Sequence, residues 1–379
     1  MAAVTSAEEL LVTSEFKLNR SGRFVIAELL VPHRVLSTSV RNGGQTEHLK
    51  FLVNHQSCEG ADHRERHEHI TGSGMDGYHD ATCREIDLDP KYAATMGTAA
   101  NMNYAAIVQS TDGALTVTAV VTAGVHGNAA CAGDPATWRE TENGWQKIAP
   151  LGGTINTLLI INHSLTEGAL ARSVATMTEA KSASLQRLAV RSLYSKDFAT
   201  GTGTDQYCVA APLSKGKPLT STSPHAKLGE LIGTAVRNAT TEALRWQNGL
   251  EASSTRLLFH ALKCYGIVEA SFLSDIAPLL TERELELLKK NFNSVVYEPK
   301  VAAAAFAMAS VLDRIRCGTL PPSVASDIFR QYAATMASSL TAKPERWPDF
   351  FTRLSAVDPE HPAPTILSAI ALGWSEKWR

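Results

Sequence analysis

One run, residues 152–205, restricts the possible folds of this chain more than any other segment. It contains a glycine pair, the apolar and β-branched stretch INTLLII at residues 155–161, a long stretch of helical period, and the glycine- and hydroxyl-rich loop TGTGTD. The apolar stretch predicts a buried strand. Ser164 and Glu167 have the spacing of a capping box, which predicts that a helix begins near residue 165. A buried strand followed by a long amphipathic helix predicts an α/β core.

The remaining sequence changes character near residue 250. Before that point, short β-rich runs alternate with loops, whereas the later sequence is rich in Leu, Ala and Glu with a helical period. We therefore expect a mixed α/β domain over residues 1–250 and an all-helical region of unknown role over residues 251–379. Within the first domain, two helices are predicted at residues 165–190 and from residue 225 onward. The predicted strands are residues 23–28, 49–53, 105–109, 115–122, 155–161 and 206–210.

Composition and charge argue against several classes of protein. The 379 residues include 36 Lys and Arg against 38 Asp and Glu, without a basic stripe, so nucleic acid is not an expected partner. No run of about twenty apolar residues occurs, so a membrane span is not expected. The first residues lack the apolar run of a signal peptide. Six cysteines without a CxxC pair favour a reducing cytoplasm.

Asn42, Gly43 and Gly44 follow a strand-like run and allow two interpretations. An Asn-Gly step is a common hairpin turn. Alternatively, the Asn42 amide and the glycine N–H groups donate hydrogen bonds to a negative oxygen that develops during a reaction.

Thr154 directly precedes the predicted strand at residues 155–161. Threonine is a good strand residue, so a structural role is the simplest interpretation. It becomes a nucleophile only with a base to take its proton, or as a freed N-terminal residue whose own amine does so. The Gly153–Thr154 bond is a plausible junction for self-cleavage.

Two further groups of polar residues, one in a loop and one in a predicted helix, are candidates for the site. The loop with Thr202, Thr204 and Asp205 could hold an amide or a phosphate of a ligand through its N–H groups. Asp205 could orient a base, or it could cap a turn, which is the simpler interpretation. The loop lacks the lysine and length of a phosphate loop, and no dinucleotide motif has the G-x-G-x-x-G spacing, which disfavours a nucleotide enzyme. Glu179 and Lys181 lie two apart in the predicted helix, hence on different faces. A solvated face is the simplest interpretation for both, and the alternative is that one of them reaches a pocket beneath the strand.

His225 stands at the start of the second predicted helix, where unpaired N–H groups favour anions. An imidazole titrates near neutrality, so His225 is the candidate general base.

A further segment, residues 55–83, is rich in His and Cys. Its His63, His67 and His69 are candidates for metal ligands. His63 and His67 lie four apart, which on a helix would place both on one face. A polar surface loop is the simpler interpretation, and we leave the metal content open.

Several motifs in one order resemble those of the adenosylcobinamide amidohydrolases: STSVRNGG, TMGTAANM, GNAACAGD, GGTIN, TEAKSASLQ, ATGTGTD and TSTSPHAKLGELIG. The resemblance covers about residues 30–245. It implies a hydrolase that cleaves the amide between the aminopropanol arm and the corrin ring, giving adenosylcobyric acid in corrinoid salvage, with the corrinoid as substrate and without a required cofactor. It implies Thr154, His225, Asn42, Glu179 and Lys181 as catalytic residues. The implied substrate-binding residues are Gly43, Gly44, Asn156, Thr202, Thr204, Asp205, Lys227 and Glu230.

A second, weaker likeness is to the self-processing aminopeptidases and ornithine acetyltransferases, through GGTINTLLIINHSL and GTGTD. This likeness implies a layered αββα-type sandwich with Thr154 as nucleophile. Asn42 or nearby backbone amides would then form the oxyanion hole.

Other functions stay open. The His- and Cys-rich segment and the added helical region are also compatible with an amide hydrolase or a binding protein for a different metal chelate, such as a siderophore. A homo-oligomer is possible, because the alanine-rich stretch KVAAAAFAMASVL suits tight helix packing.

Overall fold

The computed structural model describes residues 7–57, 63–136, 138–142, 144–147, 153–354, 358 and 360–377, with the backbone alone for residues 63–71, 138 and 144–147. The chain divides into two compact units, Met1–Leu250 and Glu251–Arg379. No helix in these ranges combines the length and the apolarity that a membrane crossing requires.

Strands occur only in the first unit among the described residues. In chain order they are β1 (Glu8–Val12), β2 (Phe16–Ser21), β3 (Phe24–Leu29), β4 (His33–Ser37), β5 (Gly44–Thr46), β6 (Phe51–Gln56), β7 (Ala93–Thr98), β8 (Ala106–Asp112), β9 (Leu115–Ala123), β10 (Ala129–Ala130), β11 (Trp138–Thr141), β12 (Gly144–Lys147), β13 (Ile155–Ile161), β14 (Gly201–Thr202) and β15 (Gln206–Pro212).

The helices of the first unit are α1 (His63–Arg84), which is interrupted at Gly74, α2 (Glu167–Arg187) and α3 (Lys227–Asn248). Those of the second unit are α4 (Ala252–Thr255), α5 (Leu258–Leu262), α6 (Glu269–Ile276), α7 (Glu282–Lys290), α8 (Asn293–Val296), α9 (Pro299–Arg316), α10 (Ala325–Thr341), α11 (Trp347–Arg353) and α12 (Ala363–Glu376). Short 3-10 turns lie at Pro90–Tyr92, Met102–Tyr104, Lys263–Tyr265, Ala277–Leu279, Pro322–Val324 and Pro344–Arg346.

Two mixed sheets form the centre of the first unit. The five-stranded sheet has the order β1-β2-β3-β6-β7, and only β6 and β7 are parallel. The six-stranded sheet has the order β5-β4-β15-β13-β9-β8, and only β13 and β15 are parallel. The parallel pair places the first residues of β13 and β15 at the same end of the sheet, with Asn156 beside Gln206.

The sheets pack face to face over one apolar core and against helices on their outer faces. Leu18, Leu52 and Met96 of one sheet meet Leu158 and Cys208 of the other. Alternate residues of the six-stranded sheet pack against α2 and α3, and α1 lies on the outer face of the five-stranded sheet, where His79 contacts Thr95. Because side chains alternate along a strand, each sheet packs one face against the other sheet and the opposite face against helices. The predicted α/β sandwich with layers in the order αββα is confirmed, as is the helical region that follows it.

The second unit is a helical bundle around large buried side chains. Phe272, Phe329, Phe350 and Trp374 are each at most 1% exposed. These aromatic side chains anchor the packing of α6, α10, α11 and α12.

Local differences from the predicted elements have physical causes. The strand at residues 155–161 is confirmed without change of bounds. The capping box at Ser164 is wrong: Thr166 caps α2 by accepting the Ala169 N–H, because the Ser164 hydroxyl accepts the Lys215 N–H instead. The surface loop expected at the His-rich segment is also wrong, since the backbone from residue 63 is the helix α1.

The inter-sheet core generates the first prediction. Leu158 is fully buried, so Leu158→Ala should lower the free energy of unfolding by about 2–5 kcal/mol through lost burial and a cavity. Leu30 is 49% exposed, so Leu30→Ala should change the free energy of unfolding by less than about 0.5 kcal/mol. Denaturant unfolding of both variants measures this, and equal losses would contradict the layered core.

Candidate active site

The candidate active site lies where β13 begins, beside the loop at residues 200–205. The short strands β10 and β14 pair so that Ala129 lies opposite Thr202. This pairing brings Asn128, which precedes β10, to Thr204, which follows β14. Two chain segments far apart in sequence thus meet at the residue before β13.

Thr154 is the residue at the head of β13, and its hydroxyl is part of a hydrogen-bond network. Thr154 Oγ1 lies 2.6 Å from Thr204 Oγ1. Thr204 Oγ1 donates to the Gly153 carbonyl oxygen at 2.9 Å, and Asn128 Nδ2 donates to the same oxygen at 3.0 Å. Since the Thr204 hydroxyl hydrogen is used on Gly153, Thr154 is the donor to Thr204. The Thr154 hydroxyl therefore lies beside a carbonyl that two side chains polarise.

Asp205 fixes this arrangement by accepting from several elements at once. Its carboxylate accepts the Ile155 N–H at 3.0 Å, the Thr202 N–H at 3.1 Å and the Thr202 hydroxyl at 2.5 Å, and it pairs with Lys181 Nζ on α2. The Lys181 and Asp205 side chains are only 14% and 17% exposed. A Cβ at Gly201 would lie 2.3 Å from Asp205 Oδ2 and 2.8 Å from Lys181 Nζ, so a larger residue there would displace both charged groups.

Asn128 and Tyr194 are site residues that the sequence analysis missed. The Tyr194 hydroxyl donates to Asn128 Oδ1 at 2.8 Å, which orients the Asn128 amide nitrogen toward Gly153. Burial, together with the nearby charge of Asp134, raises the pKa of Tyr194, so its hydroxyl keeps the proton that it donates. Asn128 lies within the motif GNAACAGD, which was the only sequence signal for it.

Asn156 lies two residues after Thr154, on the face of β13 toward the other sheet. It is fully buried and donates to Asn54 Oδ1, and Asn54 in turn donates to Thr122 Oγ1, both at 2.8 Å. This polar cluster connects the two sheets next to the site. The substrate-binding role predicted for Asn156 stays a prediction.

The loop with Asn42, Gly43 and Gly44 lies at the same end of the six-stranded sheet. It joins β4 to β5 as an antiparallel hairpin, as one of the two sequence interpretations expected. Both hydrogens of the Asn42 amide are used, because Nδ2 donates to the carbonyls of Pro90 and Ala93 at 2.8 and 2.9 Å. This geometry gives Asn42 a structural role and does not support it as an oxyanion donor.

The structure does not bring His225 to Thr154. The C-terminal end of α3 lies beside the site. Its last residue, Asn248, accepts the Val125 N–H, and the neighbouring Gly124 N–H donates to the Thr154 carbonyl oxygen. The helix has 22 residues, so its start is about 30 Å away at 1.5 Å per residue. The assignment of His225 as the base for Thr154 is therefore corrected.

Lys227 and Glu230 belong to the same distant helix start. They pair with each other at 2.6 Å, and this hydrogen bond raises the pKa of Lys227. Both are exposed. They do not share a site with Thr154.

Glu179 is exposed on the outer side of α2, on a different face from Lys181 as the spacing predicted. It lines an open groove of about 730 Å³ that follows α2 from Ala171 to Gln186. Of the two helix residues, only Lys181 reaches the network around Thr154.

The side chains of His63, His67 and His69 lie outside the described residues. Across the described ranges, no group of three or more His, Cys, Asp or Glu could hold a metal ion. Within the same segment, His79 contacts Thr95 Oγ1 and the Pro90 carbonyl. Burial raises the pKa of the Cys83 thiol to about 11, so it is protonated near neutrality.

The fold and site together define a class: an αββα sandwich with a threonine at the head of a central strand, beside polarising hydroxyl and amide groups. The family model for adenosylcobinamide amidohydrolase matches residues 9–252. The chain belongs to this family, which is a family of hydrolases, and the resemblance seen in the sequence is confirmed.

Two individual proteins are similar to this chain. An uncharacterized protein of Methanocaldococcus jannaschii is 34% identical over 186 residues, which cover 46% of this chain and 71% of that protein. A protein of Pyrococcus horikoshii OT3 with a crystal structure has 12% identity, covering 64% of this chain and 82% of its own, with a TM-score of 0.29. At that score the likeness does not inform the fold described above.

The largely buried Lys181–Asp205 pair and the exposed Lys227–Glu230 pair should contribute differently to stability. Asp205→Asn should lower the free energy of unfolding by about 3 kcal/mol, because it leaves the largely buried Lys181 without its partner. Glu230→Gln breaks the exposed pair and should leave stability unchanged. Thermal and denaturant unfolding measure both. An equally small effect at Asp205 would mean that its carboxylate does not hold the site together.

Proposed function

We propose that this protein hydrolyses the amide bond of adenosylcobinamide that links the corrin ring to the aminopropanol arm, releasing adenosylcobyric acid and an aminopropanol-type product. The membership of residues 9–252 in the family supports this reaction. The observation that carries the proposal is the Thr154 hydroxyl, hydrogen bonded to Thr204 beside Asn128. A hydroxyl among converging donors is suited to acyl chemistry.

In the proposed reaction, Thr154 Oγ1 attacks the carbonyl carbon of the substrate amide. The C–N bond breaks, the threonine hydroxyl proton leaves with the amine, and an ester to Thr154 remains. Water then hydrolyses the ester to the carboxylic acid. Thr204 Oγ1, at 2.6 Å from Thr154, is placed to relay the proton. The Lys181–Asp205 pair acts as a positioning group, because Asp205 holds the loop that carries Thr204.

The direct test is to incubate the purified chain with adenosylcobinamide and to assay adenosylcobyric acid. Thr154→Val keeps the shape of the side chain but lacks the hydroxyl, and it should lower kcat by about 100-fold or more. Thr157→Val, on the same strand, should keep near wild-type turnover. A folded wild-type chain without turnover would reject this substrate, and an active Thr154→Val variant would transfer the attack to a water.

The start of α3, where His225 lies, is far from the site, so His225 should not contribute to turnover. His225→Gln should leave kcat within about twofold of wild type, because His225 lies at the far end of the helix. The pH profile of kcat should also keep its shape. A loss of about 100-fold with an unchanged melting temperature would restore His225 as the base and contradict the separation described above.

A further inference from the structure

We infer that the chain cleaves its own peptide bond between Gly153 and Thr154. The observation is that the carbonyl of this bond accepts two side-chain hydrogen bonds, from Asn128 Nδ2 at 3.0 Å and from Thr204 Oγ1 at 2.9 Å. Donors aimed at a carbonyl oxygen polarise its carbon and stabilise the negative charge that develops when a nucleophile attacks. The two donors come from separate loops and converge on one backbone oxygen.

The nucleophile for this bond is the Thr154 hydroxyl. Thr154 Oγ1 belongs to the residue that follows the polarised carbonyl, so its attack on the Gly153 carbon closes a five-membered ring. Thr154 is only 8% exposed, so its hydroxyl is confined with the polarised bond. Intramolecular attack in a fixed geometry gains from proximity.

The backbone at Gly153 suits this arrangement. Its φ of 120° lies in the left-handed range that other residues rarely adopt. A Cβ at this position would lie 2.7 Å from the Gly124 carbonyl oxygen and 3.3 Å from Asn128 Cβ. A glycine is therefore required for the carbonyl to reach its two donors.

Self-cleavage at this bond requires no reagent other than water. The Thr154 Oγ1–carbon bond forms and the Gly153 C–N bond breaks, while the hydroxyl proton passes by way of Thr204 to the departing nitrogen. Water hydrolyses the resulting ester, leaving a Gly153 carboxylate and a free Thr154 amine. That amine adjoins Thr154 Oγ1 and can take its proton in later turnovers, which gives the site the base that His225 does not supply.

The test is the intact mass of the purified full-length chain, followed over time without substrate. Wild type and Thr154→Ser should give fragments of residues 1–153 and 154–379 in equal amounts, and Thr154→Val should stay whole. Asn128→Ala should slow cleavage by about 100-fold, against no change for the surface variant Asn103→Ala. Should Asn128→Ala fail to fold, Tyr194→Phe, which removes the hydrogen bond to Asn128 Oδ1, should also slow cleavage.

Hydroxylamine separates self-cleavage from proteolysis by a contaminant. It should speed cleavage and leave a hydroxamate at Gly153, because it attacks the ester. A folded wild type and Thr154→Ser that both stay whole, or Thr154→Val that is cut as fast as wild type, would overturn the inference. A whole chain that still hydrolyses adenosylcobinamide would overturn self-cleavage alone, whereas a cleaved chain without turnover would reject only the proposed substrate.

Discussion

The Asp205 carboxylate is the interaction on which the rest of the site depends. It joins the first amide of β13, Thr202 of β14 and Lys181 on α2. A carboxylate that accepts charge-assisted hydrogen bonds from three elements restricts their relative movement more than apolar contacts do. Thr204 directly precedes Asp205 in the chain, so the contacts of Asp205 also hold the backbone that carries the Thr204 hydroxyl.

The topology concentrates this chemistry at one end of the six-stranded sheet. The parallel pair β13 and β15 begins there, and β9 ends there with Gly124 bonded to Thr154. Loops at such an end can carry polar groups because the two apolar cores already hold the sheets rigidly. The buried Asn54–Asn156 pair extends polar bonding from the site into the space between the sheets. The site thus has support from both sheets of the sandwich.

Features that depend on neighbouring residues, such as a buried strand, could be predicted from the sequence. Contacts between distant parts of the chain could not. β13 could be placed without error because its seven residues are all buried. Thr154 is predicted from its place before the strand at residues 155–161, and Thr204 and Asp205 from the glycine-rich loop some fifty residues later. No spacing rule places Asn128 beside them, since β10 and β14 have two residues each. His225 has suitable chemistry, but the direction in which α3 packs on the sheet puts it at the wrong end. Asn42 was misjudged because its two carbonyl partners lie about fifty residues away in the chain.

The proposed reaction requires that the Thr154 hydroxyl forms a covalent bond to the substrate carbonyl carbon. The most direct measurement is an acid quench of the chain during its first turnover of adenosylcobinamide, followed by peptide mapping by mass spectrometry. We expect a corrinoid acyl group in ester linkage at Thr154 that decays as adenosylcobyric acid appears. Turnover with the acyl group on another residue would contradict it.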